Sequence, residues 1–368
     1  MDYEKDKYWL WMSNIKDMWS KKARKIMDFF ETPQQVYEMK KECLEKTGIF
    51  SEKDIYNITK AKETDIEKLW EDLYKKQIGF VHIYNEKYPV KLMDFVDRPL
   101  WLFYKGNLPE ESEKLVGIVG ARNCSNYGIT MAQQIGQQLG EYSVGVISGM
   151  ARGIDAAAHK GAISVGAKTY AILGCGVDIC YPRENIELYM HIIENGGVIS
   201  EYTPGTEPLA WQFPERNRII SMLSDAVAVV EAKKNSGSLI TAEYALQYGK
   251  EVFAVPGRVG EALSQGCNEL IRNGASVLLE GADMLYSMGV FDRLENSCGK
   301  VNEKNKYKNV LEKENEVVYS CLGLLPKNIE EIVEITGMSS TEVLNALMQL
   351  TIKGLVAEPV RNYYARKK

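Results

Sequence analysis

The sequence predicts an α/β fold: an extended Rossmann-like, doubly wound and mostly parallel sheet, with a helical N-terminal domain and a C-terminal winged-helix-like module. Between residues 115 and 290 charged residues become sparse and short apolar runs recur. Stretches with helical spacing, such as Ile129, Ala132 and Ile135, separate most of these runs. Apolar strands that alternate with helices are typical of a parallel sheet covered on both faces. The predicted strands are residues 115–119, 144–147, 169–173, 198–200, 226–230, 252–255 and 277–279.

The N-terminal region, residues 1–78, predicts a helical domain. It is rich in Lys, Glu, Asp, Trp and Tyr, and its apolar residues recur at helical spacing, as in Ile66, Leu69 and Leu73. Two strand patterns follow at residues 79–84 and 98–107, and the second ends in a turn. We therefore expect the Rossmann-like, DNA-binding domain to comprise residues 79–290.

The C-terminal region predicts a separate small module. Residues 291–313 are polar and predict a linker, after which residues 314–368 predict a winged-helix-like module. Two helices, 328–336 and 340–353, are followed by two short strand patterns. Segment 340–350 of the would-be recognition helix contains no basic residue and one glutamate. Because phosphate contacts need Lys or Arg, we predict a protein–protein role for this module.

Composition and charge limit the class of protein. The net charge is −5, and the chain is 45% hydrophobic and 26% charged, which is ordinary for a soluble globular protein. No apolar run approaches the ~18 residues that a membrane helix needs. The charged N-terminus lacks the pattern of a secretory signal. We expect a cytoplasmic protein with no membrane partner, whose nucleic-acid site is a local patch rather than a basic coat.

Metal, cofactor and P-loop motifs are missing from the sequence. The seven cysteines form no C-x-x-C pair, which predicts reduced thiols, and no Cys/His cluster has zinc-ligand spacing. A partial G-x-G-x-x-G begins at Gly174, but Ile179 stands at the third glycine position. The motif G-x-x-x-x-G-K-[ST] does not occur. The sequence therefore predicts no metal, no cofactor and no P-loop ATP hydrolysis.

The candidate binding residues follow the predicted strands, where open parallel sheets bind their ligands. Small residues let backbone amides approach an anion, helix N-termini favour negative charge, and arginine provides a planar charged fork for phosphate. An aromatic ring beside guanidinium groups suits an unpaired base. The candidates are Arg122, Ser148, Gly149, Arg152, Gly174, Gly176, Arg183, Phe213, Arg216, Asn217 and Arg218.

Each loop alone also fits a structural interpretation. Arg122 could be a surface residue of a plain strand-to-helix turn, and Asp155 could cap a helix. Arg216 and Arg218 could tie their helix to the sheet edge. Taken together, however, the loops lie at the same end of consecutive strands and predict one long anion-lined edge. That shape fits an extended polyanion better than a small metabolite. A further loop there offers small hydrogen-bond donors: Ser236, Gly237, Ser238 and Thr241.

Seven stretches carry a resemblance to a known family. They are GARNCSNYG (120–128), SGMARGIDAAAH (148–159), LGCGVDICYPREN (173–185), SEYTPGTEP (200–208), FPERNRIIS (213–221), VVEAKKNSGSLITA (229–242) and VFAVPG (252–257). In number and order they make residues 80–285 resemble the DNA-processing protein A (DprA/Smf) family. The resemblance implies single-stranded DNA binding, dimerisation and handover of the strand to a RecA-type recombinase in natural transformation. By motif, it implies DNA contacts at Arg122, Gly174, Gly176, Arg183, Phe213, Arg216 and Arg218.

The leading hypothesis is therefore a sequence-independent single-stranded-DNA-binding protein that is not an enzyme, protects incoming DNA, loads a RecA-type recombinase and forms a homodimer. The dimer would place two arginine edges on one strand, which compensates for the acidic net charge. The rival is a nucleotide N-ribohydrolase of the lysine-decarboxylase-like Rossmann group. In that hypothesis Glu243 would be essential, although its stretch lacks the tight glycine cluster of that group. A scaffold without a nucleic-acid role is the third possibility.

Overall fold

The computed structural model describes residues 3–290, 313–323, 326–360 and 362–366. The chain divides into two compact units, Met1–Val290 and Phe291–Lys368. The predicted linker, residues 291–313, lies outside the described residues except for its last residue.

A nine-stranded sheet forms the centre of the first unit. Its strands are β1 (Gly79–His82), β2 (Trp101–Gly106), β3 (Leu115–Val119), β4 (Gly145–Ser148), β5 (Thr169–Ile172), β6 (Gly196–Ser200), β7 (Ala226–Val229), β8 (Glu251–Ala254) and β9 (Ser276–Val277). Their order is β1-β2-β6-β5-β4-β3-β7-β8-β9. The seven strands β3 to β9 pair with one another in parallel. Strands β1 and β2 extend the sheet beyond β6 with antiparallel pairing. The order reverses between β3 and β7, which makes their carboxyl ends the switch point where such sheets bind ligands.

Helices alternate with the parallel strands. They are α7 (Asn126–Glu141), α8 (Ile154–Ser164), α9 (Ile186–Asn195), α10 (Gln212–Leu223), α11 (Gly237–Gln247), α12 (Gln265–Arg272) and α13 (Gly281–Ser287); α1–α6 precede the sheet. Alternate residues of one strand enter different cores: Ala171 packs with one buried cluster, whereas Tyr170 and Ile172 pack with another. Both faces of the sheet are therefore covered, which explains the apolar runs and confirms the predicted α/β, Rossmann-like fold.

In the described chain from residue 3 onwards, six helices precede the sheet, in agreement with the several short helices that the periodicity predicts. They are α1 (Tyr3–Ser13), α2 (Ser20–Met27), α3 (Pro33–Glu38), α4 (Lys41–Lys46), α5 (Glu52–Ala61) and α6 (Ile66–Lys75). Trp9 and Trp11 share a buried cluster with Phe80 and Trp101 of the first two strands. The Ser20 hydroxyl accepts a hydrogen bond of 3.0 Å from the Leu100 amide. Because these helices belong to the same compact unit as the sheet, a domain boundary at residues 78/79 stays a prediction.

The described residues of the second unit form three helices and a small antiparallel sheet. Its elements are α14 (Lys313–Cys321), β10 (Lys327–Asn328), α15 (Ile329–Thr336), α16 (Ser340–Ile352), β11 (Val356–Val360) and β12 (Tyr363–Arg366). The strands pair in the order β10-β12-β11. Capping boxes at Asn328 and Ser339 start the second and third helices. Gly337, with a φ of 68°, ends α15. The order of helix, turn, helix and hairpin agrees with the sequence, and the winged-helix assignment stays a prediction.

Candidate nucleic-acid interface

Two adjoining pockets lie at the carboxyl ends of the central strands. The α11 pocket, about 280 Å³, is lined in part by Ser236, Ser238 and Thr241. The Tyr181 pocket, about 340 Å³, is lined in part by Tyr181 and Arg183. Both pockets share four lining residues: Arg122, Ala151, Phe213 and Arg216. The Arg122–Phe213 pair therefore stands between two open depressions at the switch point of the sheet.

Arg122, Phe213 and Tyr181 form a cation–aromatic column. The Arg122 guanidinium carbon lies 5.2 Å from the centroid of the Phe213 ring. The Tyr181 ring also stacks on the Phe213 ring, with 5.6 Å between the ring centroids and 29° between the ring planes. Arg122 is exposed, and within the described residues no carboxylate lies at ion-pair distance from it. Its charge is therefore available to a phosphate, while Tyr181, which is 41% exposed, offers a ring to a base.

Two glycines, Gly174 and Gly149, leave space beside the backbone for the side chains of Phe213 and Arg216. A Cβ on Gly174 would lie 3.0 Å from a ring carbon of Phe213, closer than side chains tolerate without a shift. A Cβ on Gly149 would lie 2.4 Å from the Arg216 guanidinium. At both positions the protein's own side chains approach the backbone so closely that an added Cβ would shift them.

The backbone amides of the glycine loops have partners inside the protein. The Asp155 carboxylate accepts from the amides of Gly149, at 3.2 Å, and Ala151, at 3.4 Å. The Gly176 amide donates to the carbonyl oxygen of Thr206 at 2.9 Å. The sequence predicts that such amides bind phosphate. In this structure the amides of Gly149 and Gly176 already have acceptors inside the protein, and their DNA contacts stay predictions.

The N-terminus of α7 is also occupied. The Glu231 carboxylate, from the end of β7, accepts hydrogen bonds from the Ser125 amide at 2.8 Å and the Ser125 hydroxyl at 2.5 Å. In turn the Ser125 hydroxyl accepts from the Gly128 amide at 3.1 Å. A carboxylate therefore takes the anion position that the sequence assigns to a phosphate, and it fixes the loop that carries Arg122.

Ser148 and Arg216 lie in the interior. The fully buried Ser148 hydroxyl donates to the Ile118 carbonyl at 2.6 Å, a geometry that does not favour its DNA contact, which stays a prediction. Arg216 is 5% exposed and donates to the carbonyl oxygens of Gly149, at 2.9 Å, and Ile172. Burial lowers the pKa of Arg216 to about 10, which leaves it charged at neutral pH beside Asp155. Arg216 thus ties the loop after β4 to the end of β5 beneath the pockets, rather than presenting its charge at the surface.

Arg218 and Arg152 both have carboxylate partners. Arg218 is 7% exposed, forms an ion pair with Glu201 and donates to the Asp97 carbonyl at 2.8 Å. Burial by itself lowers the pKa of Arg218, but the Glu201 carboxylate more than offsets this effect, so the pKa is raised above its ordinary value. Arg218 is thus engaged inside the protein, and its phosphate contact stays a prediction. The Arg152 guanidinium pairs with Glu184, with 2.6 Å between Nε and Oε1. A second contact, 2.8 Å between Nη2 and Oε2, makes this exposed pair bidentate, so a phosphate would have to replace Glu184 to reach Arg152.

The α11 pocket offers a free helix N-terminus. Ser236 precedes α11 without a capping hydrogen bond from its side chain, and the first turn contains no acidic residue. The Thr241 hydroxyl, in a residue 1% exposed, has no hydrogen-bond partner among the described residues. Asn217 lines this pocket and donates to the Gly237 carbonyl at 3.2 Å. A helix end of this kind favours an anion.

Further exposed cations lie at the rim of one pocket and before α11, where Lys233 and Lys234 line neither pocket. Arg183 is exposed on the rim of the Tyr181 pocket, and Lys233 and Lys234 are exposed before α11. Along the described chain none of the three has a carboxylate at ion-pair distance. Sequence reasoning misses Tyr181 as a stacking ring, although it stands two residues before Arg183. It also leaves Lys233 and Lys234 out of the predicted site, although both stand in the stretch 229–242.

Aromatic faces and unpaired cations in open pockets suit unpaired bases and their phosphates. The described residues contain no group of three or more metal-ligating side chains. Within the same residues, no helix is both long and apolar enough to span a membrane.

Comparison with known proteins gives concordant matches. Residues 79–289 match the family model of DNA recombination-mediator protein A. The chain is 45% identical over 203 residues to DNA processing protein DprA of Streptococcus pneumoniae, which covers 55% of this chain and 72% of that protein. Protein Smf of Synechocystis is 30% identical over 98% of both chains.

Two solved structures are also similar. The X-ray structure of DNA processing protein A from Streptococcus pneumoniae superposes with a TM-score of 0.65 at 35% identity, covering 77% of this chain and 97% of that one. DNA processing protein A from Helicobacter pylori, whose structure concerns its single-stranded DNA binding mode, gives a TM-score of 0.53 at 28% identity, covering 58% and 95%.

Proposed function

The chain belongs to the DNA recombination-mediator protein A family, and from this premise we propose that it binds single-stranded DNA without sequence preference at the Arg122–Phe213 edge, in the cytoplasm. The observation that carries the proposal is the unpaired Arg122 guanidinium over the Phe213 ring, between two open pockets. The Helicobacter pylori relative, described as a single-stranded DNA binder, supports it.

In the proposed mechanism, phosphates meet the exposed cations and bases meet the rings. Arg122 and Arg183 neutralise phosphates along the Tyr181 pocket, and the α11 N-terminus with Lys233 receives the next phosphate. Unpaired bases stack on Tyr181 and the open part of Phe213. Because paired bases cannot reach these rings, a duplex binds more weakly.

Protection of incoming DNA, handover to a RecA-type recombinase and action as a homodimer are part of the proposal. Among the described residues, few unpaired cations lie at the Arg122–Phe213 edge, and the net charge of the chain is −5, so one protomer attracts DNA weakly. A second protomer on the same strand would therefore raise the affinity through effective concentration. Molar mass by light scattering, with and without a long oligonucleotide, checks the dimer.

The nucleotide N-ribohydrolase remains the weaker proposal. Glu243, the carboxylate that this reaction would need, is exposed on α11 and lines neither pocket, whereas Thr241 of the same helix does. Release of adenine from AMP, with loss of that activity in Glu243→Ala, would reverse the ranking.

The test is a titration of fluorescent oligo-dT with the full chain at several salt concentrations. We expect tight, salt-sensitive binding, weaker binding of a duplex of equal length, and a loss of affinity in Arg122→Ala. Lys41→Ala, on α4 and outside both pockets, removes the same charge and serves as the matched control. Absence of binding at low salt, or equal affinity for duplex and single strand, would contradict the proposal.

A further inference from the structure

A cluster of three aromatic side chains lies where the N-terminal helices meet the sheet. In this Trp19 cluster (Trp19, Tyr202 and Trp211), ring centroids lie 5.2 Å apart for Trp19–Trp211, 5.6 Å for Trp19–Tyr202 and 6.2 Å for Tyr202–Trp211. All three pairs meet edge to face. Trp19 is 40% and Trp211 46% exposed, whereas Tyr202 is 4% exposed. Two large indoles are therefore held at the surface by contacts with each other and with a buried ring.

The Trp19 cluster continues the edge that carries the candidate site. Tyr202 follows β6, the strand next to β5 in the sheet. Trp211 directly precedes α10, the helix that carries Phe213. A pocket of about 200 Å³ adjoins the cluster and is lined by Trp19, Tyr202 and Thr203, among others. The loops after the parallel strands β5 and β6 leave the sheet at the same edge, so the cluster extends the edge that carries Phe213 towards β6.

The charges around the cluster favour bases over phosphates. Lys16 and Lys21 flank Trp19 in sequence, are exposed and have no carboxylate at ion-pair distance in the described part of the chain. Neighbouring Asp17 is paired with Lys53 at 2.8 Å. Against these cations stand Glu207 and Glu215, which are exposed on the segment around Trp211. Two cations opposed by two carboxylates give little net attraction for phosphate, so stacking on the indoles must dominate.

We propose that the Trp19 cluster is a second stacking platform for single-stranded DNA, reached by strands that extend past Phe213 over the end of β6. The proposal rests on the proposed function, because it lengthens that same binding edge. It gives the N-terminal region a direct part in binding, since Trp19 precedes α2. Only a strand long enough to reach beyond Phe213 engages the platform.

The test compares two lengths of oligo-dT, about 4 and about 16 nucleotides, on the full-length protein. For Trp19→Leu and Trp211→Leu we expect unchanged affinity for the short strand and a loss of about 5- to 150-fold for the long strand, the value of one stacked base. Trp211→Phe should recover part of the loss. Tyr74→Leu removes a ring that is 85% exposed on α6, outside the edge, and is the matched control.

Two further outcomes separate the proposals. If Arg122→Ala weakens both lengths while the two tryptophan variants bind both lengths like wild type, the platform is overturned and the main site stands. If Arg122→Ala affects neither length, the proposed function itself fails.

Photocrosslinking of the wild-type protein to a long iodouracil-substituted strand does not depend on any variant folding. Crosslinks in peptides that contain Trp19 or Trp211 are expected. Crosslinks confined to other peptides would overturn the platform.

Discussion

The guanidinium of Arg122 lies over the ring of Phe213, with 5.2 Å between its central carbon and the ring centroid. The two residues come from different elements, the loop after β3 and the first turn of α10. Their contact places a permanent charge and an aromatic face at one point of the sheet edge, where a phosphate and its base can be bound together.

The charge and the stacking of Arg122 can be separated. Arg122→Lys keeps the charge but loses the planar group over Phe213, whereas Arg122→Ala loses both. We expect Arg122→Ala to lower the slope of log K against log salt by about 0.7, the value of one single-strand phosphate contact. Arg122→Lys should bind DNA more weakly than wild type but with the same slope of log K against log salt. A wild-type slope in Arg122→Ala would show that this arginine touches no phosphate.

The room that Gly174 leaves for Phe213 predicts a binding defect from a single methyl group. Gly174→Ala places a Cβ 3.0 Å from the Phe213 ring and should displace it. Phe213→Ala should cost about 1–3 kcal/mol of binding free energy, the value of one stacked base. Gly174→Ala should lose part of that amount. Gly205→Ala is the matched control for affinity, because a Cβ there meets nothing within 4 Å, although its φ of 81° costs some stability.

The buried arginines should affect stability rather than DNA contact. Arg216→Met leaves the carbonyls of Gly149 and Ile172 without their donor, and Arg218→Met leaves Glu201 without its partner. Removing one partner of a buried charged network costs about 3–5 kcal/mol. Urea unfolding checks this cost. If either variant had the stability of wild type but no longer bound DNA, the replaced arginine would be a phosphate-binding residue after all.

Acid should destabilise the first unit through His159. Burial lowers the pKa of His159 from its ordinary value of 6.5 to about 3, while its Nδ1 lies 2.6 Å from the Thr169 hydroxyl. Below pH 6.5 the unfolded chain binds a proton that the folded protein resists until about pH 3. Stability is therefore full above pH 6.5 and falls as the pH decreases, by up to about 1.4 kcal/mol per pH unit.

The matched comparison is the difference in the free energy of unfolding between pH 7 and pH 5, in wild type and in His159→Gln. Wild type should lose up to about 2 kcal/mol more than the variant, because only its residue 159 titrates. His82, whose pKa burial also lowers, remains in both proteins and cancels. An equal loss of unfolding free energy in both proteins would show that His159 does not cause the acid destabilisation.

The C-terminal module should be dispensable for single-strand binding. The exposed surface of α16 includes Leu344, Met348 and Ile352, at helical spacing, and segment 340–350 has no Lys or Arg. A chain ending at Val290 should bind oligo-dT within about twofold of the full chain and bind duplex no more weakly. A large loss of duplex binding on truncation would refute the protein–protein role of the module.

The sequence by itself determined the α/β architecture and the strand ends that bear the candidate site. Apolar runs must be buried on both faces, which dictates a parallel sheet, and the ends of parallel strands share one edge. Arg122, Arg183 and Phe213 could be located this way because their positions follow directly from that topology.

Only the tertiary structure decided which charged groups are free. Arg218 is neutralised by Glu201, 17 residues away, and the α7 N-terminus by Glu231, 106 residues from Ser125. Arg216 is buried between the carbonyl of Gly149, after β4, and the carbonyl of Ile172, at the end of β5. Such pairing depends on where distant segments meet in space. Whether an arginine can bind a phosphate therefore depends on partners that the local sequence around it does not contain.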